Sequence, residues 1–267
     1  MRNKNWEQEA FITVSLFFKM LTAFAMSIFT AFGGLFGGGE QMKICMIAHR
    51  GYSSKYYQNT ELAFKGAAQH GSGGAETDIR VTSDGVYVTN HNSSVVLKDG
   101  TELEVADHTF AELTAQPLKQ YKTLQDVYLC TYKRYLEIMK ENNMICFIEL
   151  KGDFNEEQVK EIFDMAAEVY SLDKCILQSF NFDNLIRAHE LFPDLRIMLT
   201  YGSGDEGYER CFDYGFSIDC DYNVITEEMI EQFHSRGLEV GVWTANDPVS
   251  LAYCKSLGVD YIESDVF

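Results

Sequence analysis

Two histidines and a pair of carboxylates follow short apolar runs in the first half of the chain. His49 ends one such run, Glu76 and Asp78 lie in the next, and His91 ends a third. Two imidazoles can divide proton transfer between them, and carboxylate oxygens are suited to hold a hard divalent cation. This combination makes metal-assisted phosphate ester chemistry the first hypothesis.

A third carboxylate, Glu149, stands inside an otherwise apolar run that ends at Lys151. Alternate residues of a strand point the same way, so Glu76 projects with Asp78 and Glu149 with Lys151. An unpaired charge in an apolar run is costly, and a bound cation would remove that cost. We predict that Glu76, Asp78 and Glu149 hold one divalent cation, Ca²⁺ or Mg²⁺. Arg50 and Lys151 would supply positive charge for an anionic phosphodiester.

The elements that must position these residues alternate between short apolar strands and amphipathic helices, which is typical of βα units. The predicted strands are 44–49, 74–79, 86–91, 145–150, 175–180, 196–201, 216–221, 238–243 and 259–264. The predicted helices include Thr60–Gln69, Leu124–Glu141, Glu156–Tyr170, Asp183–Leu191 and Glu227–Ser235.

Nine strands are one too many for an eight-stranded barrel. The turn Ser83-Asp84-Gly85 predicts a hairpin rather than a crossover helix, so the strand 86–91 is expected to be antiparallel and outside the barrel. That hairpin brings His91 opposite residues near 76–78. The segment 92–123 lacks clean periodicity and reads as an insertion over one end of the barrel, with no second core.

We therefore predict an α/β fold, a TIM (β/α)8 barrel over residues 42–267, preceded by an N-terminal apolar helix in residues 1–41. Residues 10–36 are apolar with Lys19 as their single charge. The uncharged part of this stretch is near the lower limit of about 17 residues for a membrane-spanning helix. We expect membrane association through residues 10–36. The alternative is a cytoplasmic enzyme that begins near Met42, and removal of 1–41 should leave it folded and active.

The formal net charge of −18 argues against nucleic acid as a partner, because phosphate backbones require clustered Lys and Arg. It also argues against docking on anionic lipid through a basic face. The seven cysteines show no metal-type spacing and read as free thiols. The remaining chain histidines are interpreted as surface residues: His70, His108, His189 and His234.

Several motifs in combination resemble the glycerophosphodiester phosphodiesterase family, within the barrel phosphodiesterases that include phosphatidylinositol-specific phospholipase C. The resemblance covers residues 44–267. Its motifs are Ile47-Ala48-His49-Arg50-Gly51, Asn59-Thr60, Ala63-Phe64, Glu76-Thr77-Asp78, Thr82-Ser83-Asp84-Gly85, His91, Ile148-Glu149-Leu150-Lys151, Val242-Trp243-Thr244-Ala245-Asn246 and Gly258-Val259-Asp260-Tyr261-Ile262-Glu263-Ser264-Asp265.

The resemblance implies a TIM barrel with a small insertion after the second histidine. It implies that His49 and His91 are the acid–base pair and that Arg50 and Lys151 contact the phosphate. Trp243 is either an apolar wall for the glycerol or head group, or a barrel packing residue. In related barrel enzymes the substrate's 2-hydroxyl attacks phosphorus first, giving a cyclic phosphate that water opens.

Two positions depart from the family pattern. Gln58 stands where relatives usually carry Glu, and Asn92 where they usually carry Asp after the second histidine. Both changes remove a negative charge close to the site, so metal affinity or substrate preference is expected to differ.

The leading functional hypothesis is metal-dependent hydrolysis of a glycerophosphodiester to glycerol 3-phosphate and an alcohol. A lysophospholipase D acting on lysophospholipids uses the same chemistry, and the apolar leader favours it. A non-catalytic barrel binding protein is the third alternative, although both histidines and all three acids are present. The sequence does not identify the alcohol, the cation or the oligomeric state.

Overall fold

The structure, a computed structural model, describes residues 44–266. Twelve strands occur in this part of the chain. In chain order they are β1 (Cys45–Ala48), β2 (Gly74–Val81), β3 (Tyr87–Thr89), β4 (Ser94–Val96), β5 (Glu102–Glu104), β6 (Cys130–Thr131), β7 (Ile145–Leu150), β8 (Cys175–Ser179), β9 (Arg196–Tyr201), β10 (Ser217–Asp221), β11 (Val240–Trp243) and β12 (Tyr261–Ser264).

Eight of these strands form a closed parallel barrel. Their order is β1, β2, β7, β8, β9, β10, β11 and β12, and β12 pairs with β1 to close the ring. β3 pairs antiparallel with the end of β2, and β6 pairs antiparallel with β3. The TIM barrel and the surplus antiparallel strand are thus confirmed.

Eight α-helices occur among the described residues. They are α1 (Glu61–Gln69), α2 (Phe110–Leu113), α3 (Tyr132–Glu141), α4 (Glu156–Val169), α5 (Phe182–Leu191), α6 (Arg210–Tyr214), α7 (Glu227–His234) and α8 (Pro248–Leu257). Side chains cap the starts of most of them, as at Thr60 for α1, Asn155 for α4 and Thr226 for α7. Each cap satisfies an amide that the helix leaves unbonded.

The prediction of a helix from Leu124 was wrong. Helix α3 begins at Tyr132, where the Thr131 hydroxyl accepts a hydrogen bond from the Arg134 amide. Residues 124–129 instead run without regular structure along the inserted region, where Val127 and Leu129 are buried. Their apolar spacing serves a second packing surface rather than a helix face.

The expectation of a single core was also wrong, because the inserted region builds a small core of its own. Strands β4 and β5 pair as a hairpin, and α2 follows after a short 3₁₀ turn. The buried side chains of this small core are Val88, Val95, Leu97, Val105, Leu113, Leu118, Val127 and Leu129. The insertion is therefore a packed cap rather than a loose loop.

The barrel interior is layered by the alternation of side chains along each strand. Apolar side chains fill the middle, among them Ile47, Phe147 and Met198. Acidic and amide side chains lie above them towards the carboxyl ends of the strands. In a TIM barrel those ends form the active face, so the layering separates a packed floor from a polar mouth.

The expected N-terminal apolar helix, the membrane contact through 10–36 and the segment 1–41 lie outside the described residues. Within residues 44–266, no helix combines the length and apolar character needed to cross a bilayer.

Candidate active site

The predicted site residues gather at the carboxyl-terminal mouth of the barrel. His49 follows β1, Glu76 and Asp78 lie in β2, and Glu149 and Lys151 stand at the end of β7. Asp78 pairs in register with Glu149, so β2 and β7 present their acids side by side.

Glu76, Asp78 and Glu149 can place one carboxylate oxygen each within 4.8 Å of one another. All three side chains are buried. Glu76 Oε1 and Asp78 Oδ1 have no hydrogen-bond partner among the described residues. Buried polar atoms normally have a partner, so these oxygens are suited to a ligand that donates no hydrogen bond, such as a cation.

Burial and mutual repulsion make these carboxylates hard to ionise when no cation is present. Burial, followed by the charge of Asp78, raises the pKa of Glu76 well above its ordinary value. The same two causes raise the pKa of Glu149 to about 7, although Lys151 opposes them. A divalent cation would stabilise the charged forms of both groups.

Two cations flank Asp78. Arg50 Nε lies 3.5 Å from Asp78 Oδ2, and Lys151 Nζ lies 3.4 Å from Asp78 Oδ1. Lys151 Nζ is also 2.8 Å from Glu149 Oε1. Burial disfavours the Lys151 charge, but Glu149 and Asp78 outweigh burial and raise its pKa. Both cations therefore stand charged at the edge of the acid cluster, where an anionic phosphate would meet them.

The backbone of Arg50 is held in a left-handed conformation, with φ of 58°. This conformation costs energy for a residue with a side chain. The Arg50 amide donates to Glu76 Oε2 at 2.8 Å, which fixes the turn against β2. Arg50 Nη1 donates to Gln58 Oε1 at 3.0 Å. Gln58, one of the two departures from the family pattern, thus orients the guanidinium without adding charge.

Gly51 is required by close approach of the same turn to α1. Its φ is +76°, and a Cβ there would lie 2.6 Å from the Ala63 carbonyl carbon. The turn that carries His49 and Arg50 therefore packs directly on the first helix.

Asn59 is a residue to which the sequence assigned no role. Its amide nitrogen donates to Asp78 Oδ2 at 2.7 Å, and its side-chain oxygen accepts from the Thr77 hydroxyl at 2.9 Å. Asn59 is buried and has φ of 55°. It locks one Asp78 oxygen and leaves the other directed at the acid cluster.

His49 is oriented by Asp265, which sequence reasoning also missed. His49 Nδ1 lies 2.8 Å from Asp265 Oδ1. The Ser53 hydroxyl donates to the same oxygen at 2.6 Å, and the Asn246 amide donates to Oδ2 at 2.6 Å. Burial opposes ionisation of Asp265, but the hydrogen bonds from His49, Ser53 and Asn246 outweigh it and lower the pKa to about 2.

A carboxylate bonded to Nδ1 leaves Nε2 of His49 for a reacting group and stabilises the imidazolium that forms on proton uptake. Glu263-x-Asp265 repeats the spacing of Glu76-x-Asp78 at a strand end. That repeat was the available signal for Asp265.

His91 reaches the site through the hairpin. The Asn90 amide donates to the Asp78 carbonyl at 2.9 Å, which places His91 beside β2. His91 Nδ1 lies 3.0 Å from Asn92 Oδ1. Burial, partly opposed by the charge of Asp78, lowers the pKa of His91. Asn92 thus contacts the ring at the place where the family resemblance implies a carboxylate.

Trp243 and Phe180 form an aromatic wall at the mouth. Their rings meet edge to face with centroids 6.0 Å apart, and Lys151 Nζ lies 5.6 Å from the Phe180 centroid. Trp243 Nε1 donates to the Asp219 carbonyl at 3.1 Å. Trp243 is partly exposed while Phe180 is largely open to solvent.

More acids lie in the layer with Glu76. Glu263 accepts from Gln178 Nε2 at 2.9 Å, and burial raises the pKa of Glu263 and of Asp219 well above their ordinary values. His49, Glu76 and Glu263 form a second group whose ligand atoms lie within 4.8 Å of one another. The polar layer is thus larger than the three predicted ligands.

The four histidines expected at the surface make their contacts outside the acid cluster. His70 is exposed, while His108, His189 and His234 are partly exposed. No disulfide links the seven cysteines, all of which lie in the described part of the chain.

Comparison with known proteins identifies one family throughout. The glycerophosphoryl diester phosphodiesterase family matches residues 49–267. A glycerophosphodiester phosphodiesterase of Caldanaerobacter subterraneus is 27% identical over 230 residues, covering 84% of this chain and 95% of that protein.

Two solved structures share the fold. A glycerophosphodiester phosphodiesterase of Thermotoga maritima has a TM-score of 0.67 at 27% identity and covers 84% of this chain and 95% of its own. A phosphodiesterase of Oleispira antarctica, solved with sn-glycerol-3-phosphate, has a TM-score of 0.75 at 22% identity and covers 83% of this chain and 92% of its own.

Proposed function

Because the chain belongs to the glycerophosphoryl diester phosphodiesterase family, we propose that its mouth hydrolyses a glycerophosphodiester to glycerol 3-phosphate and an alcohol. The observation that carries this function is the buried acid cluster with unpartnered oxygens, flanked by Arg50 and Lys151. The Oleispira relative was solved with glycerol 3-phosphate, the product expected here.

Glu76, Asp78 and Glu149 would hold one divalent cation. Their donors are all carboxylate oxygens, which suit Ca²⁺ and Mg²⁺ better than softer metals. Three carboxylates with one divalent cation leave a charge of about −1, which Arg50 and Lys151 offset. When bound, the cation would draw the phosphodiester and stabilise the negative charge that develops on it.

The two histidines would move the protons. Asp265 stabilises a positive charge on His49, so His49 is suited to take the proton from the attacking oxygen. Burial lowers the pKa of His91, but the charge of Asp78 favours its protonated form, and His91 would then protonate the leaving oxygen. Arg50 and Lys151 hold the phosphate between them while the bonds exchange.

A lysophospholipid is the second candidate substrate. The Phe180 ring is 47% exposed beside Lys151, so an apolar substituent at the mouth would find an aromatic surface. A non-catalytic role is disfavoured because His49 is held by a dedicated carboxylate, which binding alone does not need.

The test measures the phosphomonoester product with and without chelator: glycerol 3-phosphate from glycerophosphocholine and glycerophosphoethanolamine, and lysophosphatidic acid from lysophosphatidylcholine. Release that chelator abolishes and Ca²⁺ or Mg²⁺ restores is expected. A diester whose glycerol 2-hydroxyl is replaced by hydrogen should bind and barely react, if the substrate hydroxyl attacks first. Binding of every diester without release would instead establish the non-catalytic alternative.

Membrane association through residues 10–36 belongs to the same proposal, on the evidence of their apolar sequence. Full-length protein should sediment with membranes more completely than protein lacking residues 1–41. Equal sedimentation of the two would remove the leader from the proposal.

A further inference from the structure

The inserted cap carries an exposed apolar tip next to the mouth. Leu124 is 108% exposed and Tyr121 is 87% exposed, the largest exposures among the big apolar side chains of the described residues. Soluble proteins tolerate single exposed apolar side chains, but two so close in sequence on one turn are an unusual liability. A surface role would account for this exposure.

The backbone of the tip is held in place by hydrogen bonds to one side chain, Gln120. Gln120 Oε1 accepts from the amides of Lys122 at 2.8 Å and Thr123 at 3.0 Å. Gln120 Nε2 donates to the carbonyls of Thr123 at 2.9 Å and Gln125 at 2.8 Å. The backbone therefore wraps around Gln120, and the apolar side chains stand outside that wrap.

The tip is tied to the catalytic mouth through a short chain of contacts. The Lys122 ammonium donates to the Ser53 carbonyl. Ser53 in turn donates to Asp265, the carboxylate that holds His49. Whatever the tip contacts will therefore lie beside the opening through which a substrate must enter.

The charge around the tip differs from that of the whole protein. From Leu113 to Gln125 the sequence contains Lys119 and Lys122 and no Asp or Glu, within a chain of net charge −18. A tyrosine and a leucine flanked by lysines are typical of segments that enter the boundary between lipid head groups and acyl chains. A protein partner would require a broader apolar area than this small tip offers.

We propose that the tip formed by residues 119–125 docks on a phospholipid bilayer, with Leu124 and Tyr121 inserted and Lys119 at the phosphates. The docking stands on the tip alone. Its consequence, that amphiphilic diesters enter the mouth directly from the bilayer, rests on the proposed function.

The experiment measures amide hydrogen exchange of residues 119–125 in the full chain, with and without phosphatidylcholine vesicles. The expected result is slower exchange in this segment when vesicles are present. Residue 44 precedes β1 at the end of the barrel opposite the mouth, and the variants below separate protection by the tip from attachment through the preceding residues.

Tyr121→Ser with Leu124→Ser should abolish the protection, and each single change should weaken vesicle partition at the tip by about tenfold. Tyr214→Ser is the control, since Tyr214 is a partly exposed tyrosine at the end of α6, outside the inserted cap. It should leave the protection unchanged.

Activity measurements distinguish failure of the membrane-docking proposal from failure of the proposed hydrolase function. The double variant should release glycerol 3-phosphate from soluble glycerophosphocholine at the rate of the unmodified chain. It should release lysophosphatidic acid more slowly from lysophosphatidylcholine in vesicles. Absence of release from every substrate, with vesicle protection intact, would reject the function and keep the docking surface. Exchange unchanged by vesicles, or slowed by raising protein concentration without lipid, would overturn the docking.

Discussion

The two ends of the barrel treat acidic side chains in opposite ways. At the amino-terminal end, Arg196 Nη2 lies 2.6 Å from Glu239 Oε2, and the Tyr261 hydroxyl donates to Glu239 Oε1 at 2.9 Å. At the mouth, Glu76 Oε1 and Asp78 Oδ1 are buried with no hydrogen-bond partner among the residues described.

The difference shows which charges serve the fold and which serve chemistry. A charge that is fully paired within the protein contributes to stability, while a buried carboxylate oxygen without a hydrogen bond costs stability until a ligand arrives. The same barrel therefore has an end that is complete in itself and an end that is complete only with a cation and substrate. Glu-to-Gln and His-to-Ala changes should therefore lower activity or cation affinity at the mouth. At the amino-terminal end a Glu-to-Gln change should lower stability instead.

The largest effect is expected at the histidines of the mouth. His49→Ala and His91→Ala should each lower kcat by about 10²–10⁴-fold, because each removes a positioned proton-transfer group. The double variant should lose less than the sum of the two in free energy, since the groups act together. His234→Ala is the control and should keep full activity. The His234 ring bonds Asp260 at 3.0 Å near the amino-terminal end of the barrel. Full activity of His91→Ala would refute its role.

The next effect concerns cation affinity. Glu149→Gln should weaken binding of Ca²⁺ or Mg²⁺ by at least about 10–100-fold, the usual loss on changing a group that merely supports a ligand. Isothermal titration of the metal into both proteins measures it. Glu239→Gln is the matched change at the amino-terminal end of the barrel and should leave the affinity for the cation unaltered. An unchanged titration in Glu149→Gln would remove Glu149 from the site.

A third effect depends on pH. The pKa of Asp265 is lowered to about 2 from 3.8, so the folded state favours its charged form. Its contribution, at most about 2 kcal/mol, is present above pH 3.8 and is lost as pH falls towards 2. Asp265→Asn should therefore be less stable than the parent at neutral pH, and the gap should narrow below pH 4. Urea unfolding at both pH values tests this; a gap independent of pH would deny the ionised pairing.

The smallest effect is on the free energy of unfolding, which should change in opposite directions in the two Glu-to-Gln variants. Glu239→Gln should lower the free energy of unfolding by about 1 kcal/mol, since the pair with Arg196 is partly exposed. Glu149→Gln, measured in chelator at neutral pH, should leave stability unchanged or raise it, because burial and Asp78 disfavour the Glu149 charge more than Lys151 favours it. Denaturant unfolding of both variants under identical conditions compares them directly. Destabilisation by both changes would erase the contrast between the two ends.

Much of the barrel was accessible to sequence reasoning because its strands are short, apolar and regularly spaced. The predicted 145–150 and 196–201 coincide with β7 and β9, and the hairpin at Ser83-Asp84-Gly85 forms as expected. The inserted cap was not predicted in detail. Its small core joins residues far apart in sequence, so no local period marks it, and the apolar run from Leu124 was mistaken for a helix.

In the site, too, the local contacts were predicted from the sequence and the long-range contacts were not. Alternation along a strand is local, and it brought Glu76 to Asp78 and Glu149 to Lys151. The partners that fix these groups come from elsewhere in the chain. Asn59 reaches Asp78 through a left-handed turn, and Asp265 reaches His49 only because β12 closes the ring. Closure is a property of the whole barrel, and residue spacing does not reveal it.

The length of β2 has a consequence for how this protein can diversify. Its pairing with β7 stops at Ile79, while the strand continues to Val81 and carries β3 beyond the barrel rim. The chain between Asn92 and Leu129 therefore hangs on an overhang and takes no part in closing the ring. The ring closes without it, so the overhang is a graft point for new surface recognition, provided that the contact of Asn92 with His91 and the bond of Lys122 to Ser53 are retained.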